Sequence, residues 1–311
     1  MSDVFPAARV NGQAIRREVL SNPSLVLIDA LALAYRAFHA IPPLHARDGT
    51  PTHALLGFVK AVRLLCERFQ PTHAAAVFDG GLPADRMNQL PEYKAQRPPM
   101  PDALARQLPL IEEFLDAESV CRFRIDGEEA DDVLASLACQ AAGQGARVWI
   151  ASNDKDLYQI VSDRISLVAP TKNAPVLGPS EIREKTGVRP DQIPDWLALA
   201  GDAVDNIPGV PGVGPKTAAR LIEEFGSIDA LYSNLDRLDV DRLKESLENA
   251  ADQVRRNRAM IVLKRNLGPL PPFDSLAVKR PDAAKLSALF GRLDMPSLAP
   301  VVSDSSQMSL F

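Results

Sequence analysis

The sequence predicts an α/β protein, a mostly parallel central sheet flanked by helices, followed by a helical carboxyl-terminal part. Two observations carry the sheet. Apolar runs of strand length recur at Leu25–Asp29 (LVLID), Ala74–Asp79 (AAAVFD) and Arg147–Asp154 (RVWIASND). Stretches of helical period separate them, and strands alternating with helices imply parallel βαβ units. A third observation concerns function: every run closes on an aspartate, and open α/β sheets bind ligands beyond the carboxyl ends of their strands.

Taken in order, residues 1–23 precede the first strand and read as a poorly structured extension. An α/β domain is expected over 24–180. Within it, Thr52–Phe69 places Leu55, Leu56, Val59, Val62 and Leu65 at a period near 3.6, which predicts an amphipathic helix. Residues 80–101 are rich in proline and charge and are longer than an ordinary strand-to-helix loop. Gly127 breaks the next segment, and a helix then runs to about Gln140. A helical domain is expected over 181–293. Inside it, Asn206–Ile222 (NIPGVPGVGPKTAARLI) reads as a glycine-rich turn leading into a helix, the centre of a helix–turn–helix at about 195–225. Its glycines let backbone N–H groups approach phosphate oxygens, with a helix N-terminus behind them. Residues 294–311 have a linker-like composition and finish on Gln307–Phe311 (QMSLF).

Composition excludes several classes. Hydrophobic residues make up 46% of the 311 and charged residues 24%, ordinary for a globular protein. No stretch approaches the roughly 18 apolar residues that span a bilayer. Residues 1–23 lack the apolar core of a signal peptide, so a cytoplasmic protein with no membrane partner is expected. Cys66, Cys121 and Cys139 contain no C-x-x-C pair and read as reduced core residues. His39, His45, His53 and His73 fit no metal spacing.

The acids are distributed differently from the rest. Asp126–Asp132 (DGEEADD) holds five carboxylates in seven positions, directly before the apolar VLASLAC. Acids in a first helical turn complement the helix dipole, which accounts for one or two of them. A partly buried cluster of like charge is unfavourable unless its members are protonated or bound to cations. The pattern continues at Asp154-Lys155-Asp156 and at Asp202 and Asp205, whose i, i+3 spacing allows a shared face. Asp29, Asp79, Glu129, Asp131, Asp132, Asp154, Asp156, Asp202 and Asp205 are therefore nine candidate ligands. All-oxygen donors without histidine or cysteine suit Mg²⁺ or Mn²⁺. These nine more than account for the formal net charge of −5, so the remaining surface is net positive and fits a polyanion.

The motifs, in order, are LID at Asp29 with Tyr35-Arg36, FD at Asp79, EYKAQR at 92–97, EADDVLA from Glu129, DKDLYQ from Asp154 and GDAVDNIPGVPGVGPKTA from Gly201. Over about residues 25–290 the chain resembles the bacterial 5′–3′ exonucleases. These are flap-endonuclease-like enzymes found as the amino-terminal domain of DNA polymerase I and as free-standing proteins. The resemblance implies a PIN-like 5′-nuclease fold and two divalent ions (Mg²⁺ or Mn²⁺) held by the nine acids. It implies hydrolysis of DNA phosphodiesters at 5′ flaps, nicks and recessed 5′ ends during primer removal and repair. Residues 80–101 would form the family's helical arch, with Arg86, Lys94 and Arg97 as cations at the attacked phosphate. Tyr35 would stack on a base, with Arg36 beside it at the DNA. The glycine-rich stretch resembles the family's helix-three-turn-helix, which grips duplex DNA and holds K⁺ through carbonyl oxygens. Gly209, Gly212, Gly214, Lys216, Thr217 and Arg220 would contact the backbone without reading sequence. Ala30 stands where bacterial members have glycine, and no departure removes a carboxylate.

Gln307, Met308, Leu310 and Phe311 resemble the bacterial sliding-clamp-binding pentapeptide, on a polar tether that lets apolar anchors enter a groove. A free-standing, nucleoid-associated monomer is expected. Two other readings were weighed. A haloacid-dehalogenase-type phosphatase needs an aspartate two residues after the first, where this chain has Leu31. A clamp-associated DNA-binding module with weak catalysis is the remaining alternative, and the complete acid set argues against it.

Overall fold

The computed structural model describes residues 23–299. The extension before Pro23 and the motif Gln307–Phe311 lie outside the described residues. Among those described, six strands form one sheet: β1 (Ser24–Asp29), β2 (His73–Val77), β3 (Cys121–Phe123), β4 (Arg147–Ala151), β5 (Ile165–Val168) and β6 (Val176–Leu177). Their order is β3-β2-β1-β4-β5-β6, parallel throughout except for the β5–β6 pair. Leu27 of β1 sits between Ala75 and Ile150 in the ladder.

The sheet is covered on both faces, which is why its strands read as unbroken apolar runs. Leu25, Leu27, Ala75, Val77, Val148 and Ile150 pack into one core; Val26, Ile28, Ala74 and Ala76 pack into the other. The helices used below are α1 (Ala30–Ala40), α2 (His53–Phe69), α3 (Ala84–Gln89), α4 (Leu108–Glu118), α5 (Ala130–Gly143), α6 (Pro179–Thr186), α7 (Ile193–Ala200), α8 (Pro215–Phe225), α9 (Asp241–Asn249), α10 (Ala251–Ile261) and α11 (Ala283–Arg292). The helix expected at Thr52–Phe69 is α2, with Thr52 at its N-cap and Gln70 closing it in the left-handed conformation. Its apolar stripe buries Leu55, Phe58, Val59, Val62 and Leu65. Removing a fully buried side chain of that size forfeits about 1.5–3 kcal/mol of transfer free energy.

Two of the three strands stop short of their aspartates. β2 ends at Val77 and β4 at Ala151, so Asp79 and Asp154 lie in the following loops. Both carboxylates turn back onto N–H groups there, of Ala130 and Asp156, and leave the ladder to do so. The topology explains the convergence nonetheless. Chain leaving β1 crosses to β2 on one side, whereas β4 joins on the other, so β1 marks the switch point of the sheet. The carboxyl ends of β2, β1 and β4 therefore deliver their loops to one crevice.

The helical half follows α6. Helices α7 and α8 flank the turn 201–214, and α10 packs along α7. Gly201 and Gly209 press backbone against backbone: a Cβ on Gly209 would lie 2.3 Å from the Ala200 carbonyl oxygen, and one on Gly201 2.4 Å from the Gly209 nitrogen. Gly209 is thus required for chain packing, while Gly212 (φ +81°) and Gly214 lie open.

Candidate metal centre and nucleic-acid interface

Asp29 closes β1 and also caps α1, since the Ala32 N–H donates to its Oδ1 (3.1 Å). Its Oδ2 accepts from the Ser152 hydroxyl (3.1 Å), and Ser152 Oγ in turn accepts from the Asp154 N–H (3.1 Å). One serine thereby ties the loops after β1 and β4. Asp79 Oδ1 accepts from the Ala130 N–H at the start of α5 (3.1 Å). Each carboxylate thus holds the N-terminal end of a helix with one oxygen while lying beside the other acids.

Asp154 and Asp156 bracket a tight turn in which the Asp156 N–H donates to Asp154 Oδ1 (2.9 Å). Asp202 and Asp205 sit in the turn after α7, shaped by a two-way backbone bridge between Asp202 and Ile207 (2.8 Å each way). Ligand atoms of Asp156, Asp202 and Asp205 all lie within 4.8 Å of one another. Asp156 Oδ1 is buried without a hydrogen-bond partner, a state that a hard cation would relieve.

Burial raises the carboxyl of Asp29 to about 7, with the charge of Asp79 adding to it against the Ala32 hydrogen bond. Burial likewise pushes Asp131 and Asp156 well above the usual carboxylate range, each helped by Asp154, and raises Asp154 itself. These groups favour a proton because Lys94 and Lys155 only partly offset their desolvation and mutual repulsion.

The other acids are paired. Glu129, at the N-cap of α5, contacts Arg86 and Lys94 and accepts from the Tyr93 hydroxyl (3.1 Å). Tyr93 also donates to Asp205 (3.1 Å), and Arg97 reaches Asp205 at 2.7 Å. Lys94 stays charged: burial opposes its proton, but Asp205 and Glu129 outweigh burial. Lys155 pairs with Asp202 at 2.9 Å. Segment 92–97 is latched to the Asp205 loop by Asn206 Nδ2 on the Glu92 carbonyl (2.8 Å) and by Gln96 Nε2 on the carbonyls of Ala203 and Val204 (3.0 and 3.1 Å).

Two expectations meet a different environment. Arg86 is not an exposed arch cation; it is 4% exposed and forks onto Asp132 at 2.7 and 3.0 Å. Asp132 is fully buried, where it holds Arg86 and accepts from the Lys264 N–H (2.8 Å). Successive helix residues point about 100° apart, so Asp131 and Asp132 head in different directions from the start of α5. Elsewhere in the acidic run, Glu128 pairs with Lys264 at 2.7 Å, and the Asp126 side chain is 95% exposed.

On the DNA side, Tyr35 is half-buried on α1, its ring stacked 6.3 Å from that of His39. Arg36 lines a cleft of about 360 Å³ with Ser152, Asn153 and Asp154, and its Nη1 has no hydrogen-bond partner. Lys216 and Arg220 are exposed one turn apart on α8, with Thr217 half-buried between them. Tyr93, Lys155 and Ser152 were not singled out from sequence. A tyrosine beside an arch lysine and a lysine between two ligand aspartates were the available signals.

Comparison with known proteins agrees with this geometry. Residues 24–187 match the 5′–3′ exonuclease amino-terminal resolvase-like domain, and 188–284 match the 5′–3′ exonuclease carboxyl-terminal SAM fold. A 5′–3′ exonuclease of Aquifex aeolicus is 36% identical over 292 residues, covering 93% of this chain and 99% of the relative. The thermostable DNA polymerase I of Thermus aquaticus is 40% identical over 274 residues, covering 88% of this chain but only 32% of that protein. In structure, a zinc-bound T5 5′-exonuclease superposes with a TM-score of 0.66 at 22% identity, covering 89% of this chain and all of the other. The catalytic core of Rad2 in complex with DNA superposes with a TM-score of 0.59 at 16% identity, covering 90% and 92%. Both share the fold, and the expected sheet with a helical carboxyl-terminal part is the one observed. With both domain types matched in sequence and a relative aligned from end to end, the chain belongs to the 5′–3′ exonuclease family.

Proposed function

We propose that the protein is a structure-specific 5′ nuclease that hydrolyses DNA phosphodiesters at 5′ flaps, nicks and recessed 5′ ends, in primer removal and repair. The observation that carries the proposal is the convergence of Asp156, Asp202 and Asp205 around an unpartnered buried oxygen, next to Asp29, Asp79, Asp131 and Asp154. The first three fit one Mg²⁺ or Mn²⁺ and the second four another, with Asp154 and Asp156 side by side between them. Bound there, divalent ions supply the charge that activates water and stabilises the leaving 3′ oxygen.

The chain's own residues do the rest. Arg97, half-exposed, holds positive charge at the rim of the cluster, and Lys94 lies buried behind it on Glu129 and Asp205, where it would act on a phosphate entering beside them. Tyr93 fixes those two carboxylates relative to each other. Arg36 lines the cleft beside Asp154, where its positive charge would meet a strand end. The turn at 201–214 acts as a helix-three-turn-helix: Lys216, Thr217, Arg220 and the open backbone at Gly212 and Gly214 grip the duplex. A K⁺ ion held by carbonyl oxygens of this turn belongs to the same proposal, although those of Pro208 and Gly209 already accept from Asn257 and Gln253. We assign the protein to the nucleoid as a monomer; no helix among the described residues is long and apolar enough to cross a membrane.

Incubation with a 5′-flap substrate, in Mg²⁺ or Mn²⁺ and in chelator, tests the assignment. Asp154→Ala is expected to bind the substrate and fail to cleave it; cleavage surviving that substitution would contradict the site. The tail Gln307–Phe311 is proposed to dock on a bacterial sliding clamp with roughly micromolar affinity, about 8 kcal/mol. Leu310→Ala with Phe311→Ala should abolish the interaction in a binding titration, and unchanged binding would remove it from the proposal.

A further inference from the structure

Residues Met260–Leu267 form a strap from the end of α10 across the sheet half, and six of its backbone groups are satisfied by buried side chains of that half. The Met260 carbonyl accepts from Arg86 Nε (2.8 Å) and the Ile261 carbonyl from Gln159 Nε2 (3.0 Å). The Leu263 N–H donates to Gln159 Oε1 (3.0 Å) and the Lys264 N–H to Asp132 Oδ1 (2.8 Å). Ser136 Oγ donates to the Lys264 carbonyl (2.9 Å) and accepts from the Leu267 N–H (3.1 Å). Arg86, Asp132, Ser136 and Gln159 are each at most 4% exposed.

The attachment points are the site's own supports. Asp132 and Ser136 lie one turn apart on α5, whose first residues carry Glu129 and Asp131. Gln159 belongs to the short helical turn that starts at Asp156. At the opposite end of the same helix, Gln253 and Asn257 hold the carbonyls of Pro208 and Gly209 in the glycine-rich turn (2.7–3.1 Å). Helix α10 and its strap therefore grip the duplex-binding turn at one end and the acid-bearing elements at the other. A seal between two halves needs only apolar packing. Polar side chains buried to hold one segment's backbone fix its register, because each left unmatched is costly.

We infer that Arg86 and Asp132 are a positioning pair: through the Met260–Leu267 strap they set the acid-bearing start of α5 relative to the duplex-binding turn, and touch neither ion nor substrate. The inference rests on the nuclease reading, so the test includes measurements that do not need cleavage. Arg86→Gln, Asp132→Asn and the double variant are compared with wild type in the full chain. The readouts are Mn²⁺ bound per chain by calorimetry, DNA affinity in chelator, melting temperature and single-turnover cleavage of a 5′ flap.

Every variant is expected to bind as many Mn²⁺ ions as wild type and DNA with unchanged affinity. Each single variant should cleave about tenfold to a hundredfold more slowly, the scale of a misplaced catalytic group. The double variant should be no slower than the slower single, because the two residues act as a unit. An ion lost in Asp132→Asn would make Asp132 a ligand and overturn the inference. Weakened DNA binding in Arg86→Gln, multiplicative losses in the double, or a lowered melting temperature with wild-type cleavage by the folded protein would overturn it equally. Ser136→Ala, a milder cut in the same strap, carries the readouts if the buried-charge variants fail to fold: slower cleavage with the full Mn²⁺ count supports the strap, and wild-type cleavage rejects it. If wild type cleaves no 5′ substrate, the nuclease reading fails by itself. The Mn²⁺ count in Asp132→Asn and the coupling of the two substitutions in melting temperature then still decide whether the pair is a ligand or a strut.

Discussion

The candidate site has two walls of opposite character. On one, Asp29, Asp131, Asp154 and Asp156 are desolvated without an adequate protein cation, and their carboxyls are raised. On the other, Glu129, Asp132 and Asp205 are matched by Arg86, Lys94 and Arg97. The paired wall is the more deeply buried of the two, whereas Asp131, Asp154 and Asp156 are only half-buried, so depth of burial alone does not explain which carboxyls are raised. The difference is where the compensating charge originates: the second wall obtains it from the arch, while the first must take it from protons or from ions in solution. An acid cluster is thus not one object, and counting carboxylates in a sequence overstates how many face an ion.

The contrast breaks most sharply when each wall loses one member. Asp156→Asn should weaken Mn²⁺ binding by more than about 100-fold, beyond the cost of losing a supporting hydrogen bond. Lys94→Met should leave Mn²⁺ binding as tight as in wild type or tighter, while slowing cleavage by about 10²–10³, as loss of one electrostatic contact in a transition state does. Calorimetry and single-turnover kinetics separate the two effects. Equal loss of Mn²⁺ in both variants would erase the distinction between the walls.

A smaller effect is read without DNA. Ions at about 100 times their dissociation constant add about 2.7 kcal/mol of stability, so saturating Mn²⁺ should raise the melting temperature by about 5 °C over chelator. In chelator, stability should also rise as pH falls from 8 to 6.5. The folded pKa of Asp29, about 7, lies above its unfolded value of 3.8; its destabilising contribution is full above 7 and shrinks as pH drops through 7. Asp131 and Asp156 act in the same direction. Below 6.5 the buried His53 and the half-buried His73, whose pKa values are lowered by desolvation, oppose the trend. A flat profile in chelator, or the same slope with Mn²⁺ bound, would show that the first wall is not short of charge.

The smallest test lies in the acidic run itself. Glu128→Gln breaks a half-buried pair with Lys264 and should cost up to about 1 kcal/mol. Asp126→Asn, at a fully solvated side chain, should stay within about 0.5 kcal/mol of wild type. Equal melting temperatures for the two variants would remove the distinction.

Much of the fold was legible because its signals are local. The apolar strands, the period of α2 and the break at Gly127 each depend on neighbouring residues, and the shared crevice follows from parallel topology. The paired wall was not legible, because its partners come from different elements: Lys94 meets Glu129 across 35 residues, Arg86 meets Asp132 across 46, and Arg97 meets Asp205 across 108. Helix geometry alone could have separated Asp131 from Asp132, since adjacent residues on a helix face different ways. Gly209 was ambiguous for another reason. Glycine is required equally by an approaching ligand and by an approaching backbone, and sequence does not say which.

Asp29 has a consequence for how such a chain can change. The carboxylate that starts α1 also belongs to the acid cluster. Asparagine caps a helix about as well as aspartate but does not replace its charge. A single-nucleotide step from aspartate to asparagine would therefore keep the helix start and silence the chemistry. On the proposed function, selection could then act on activity here almost independently of folding.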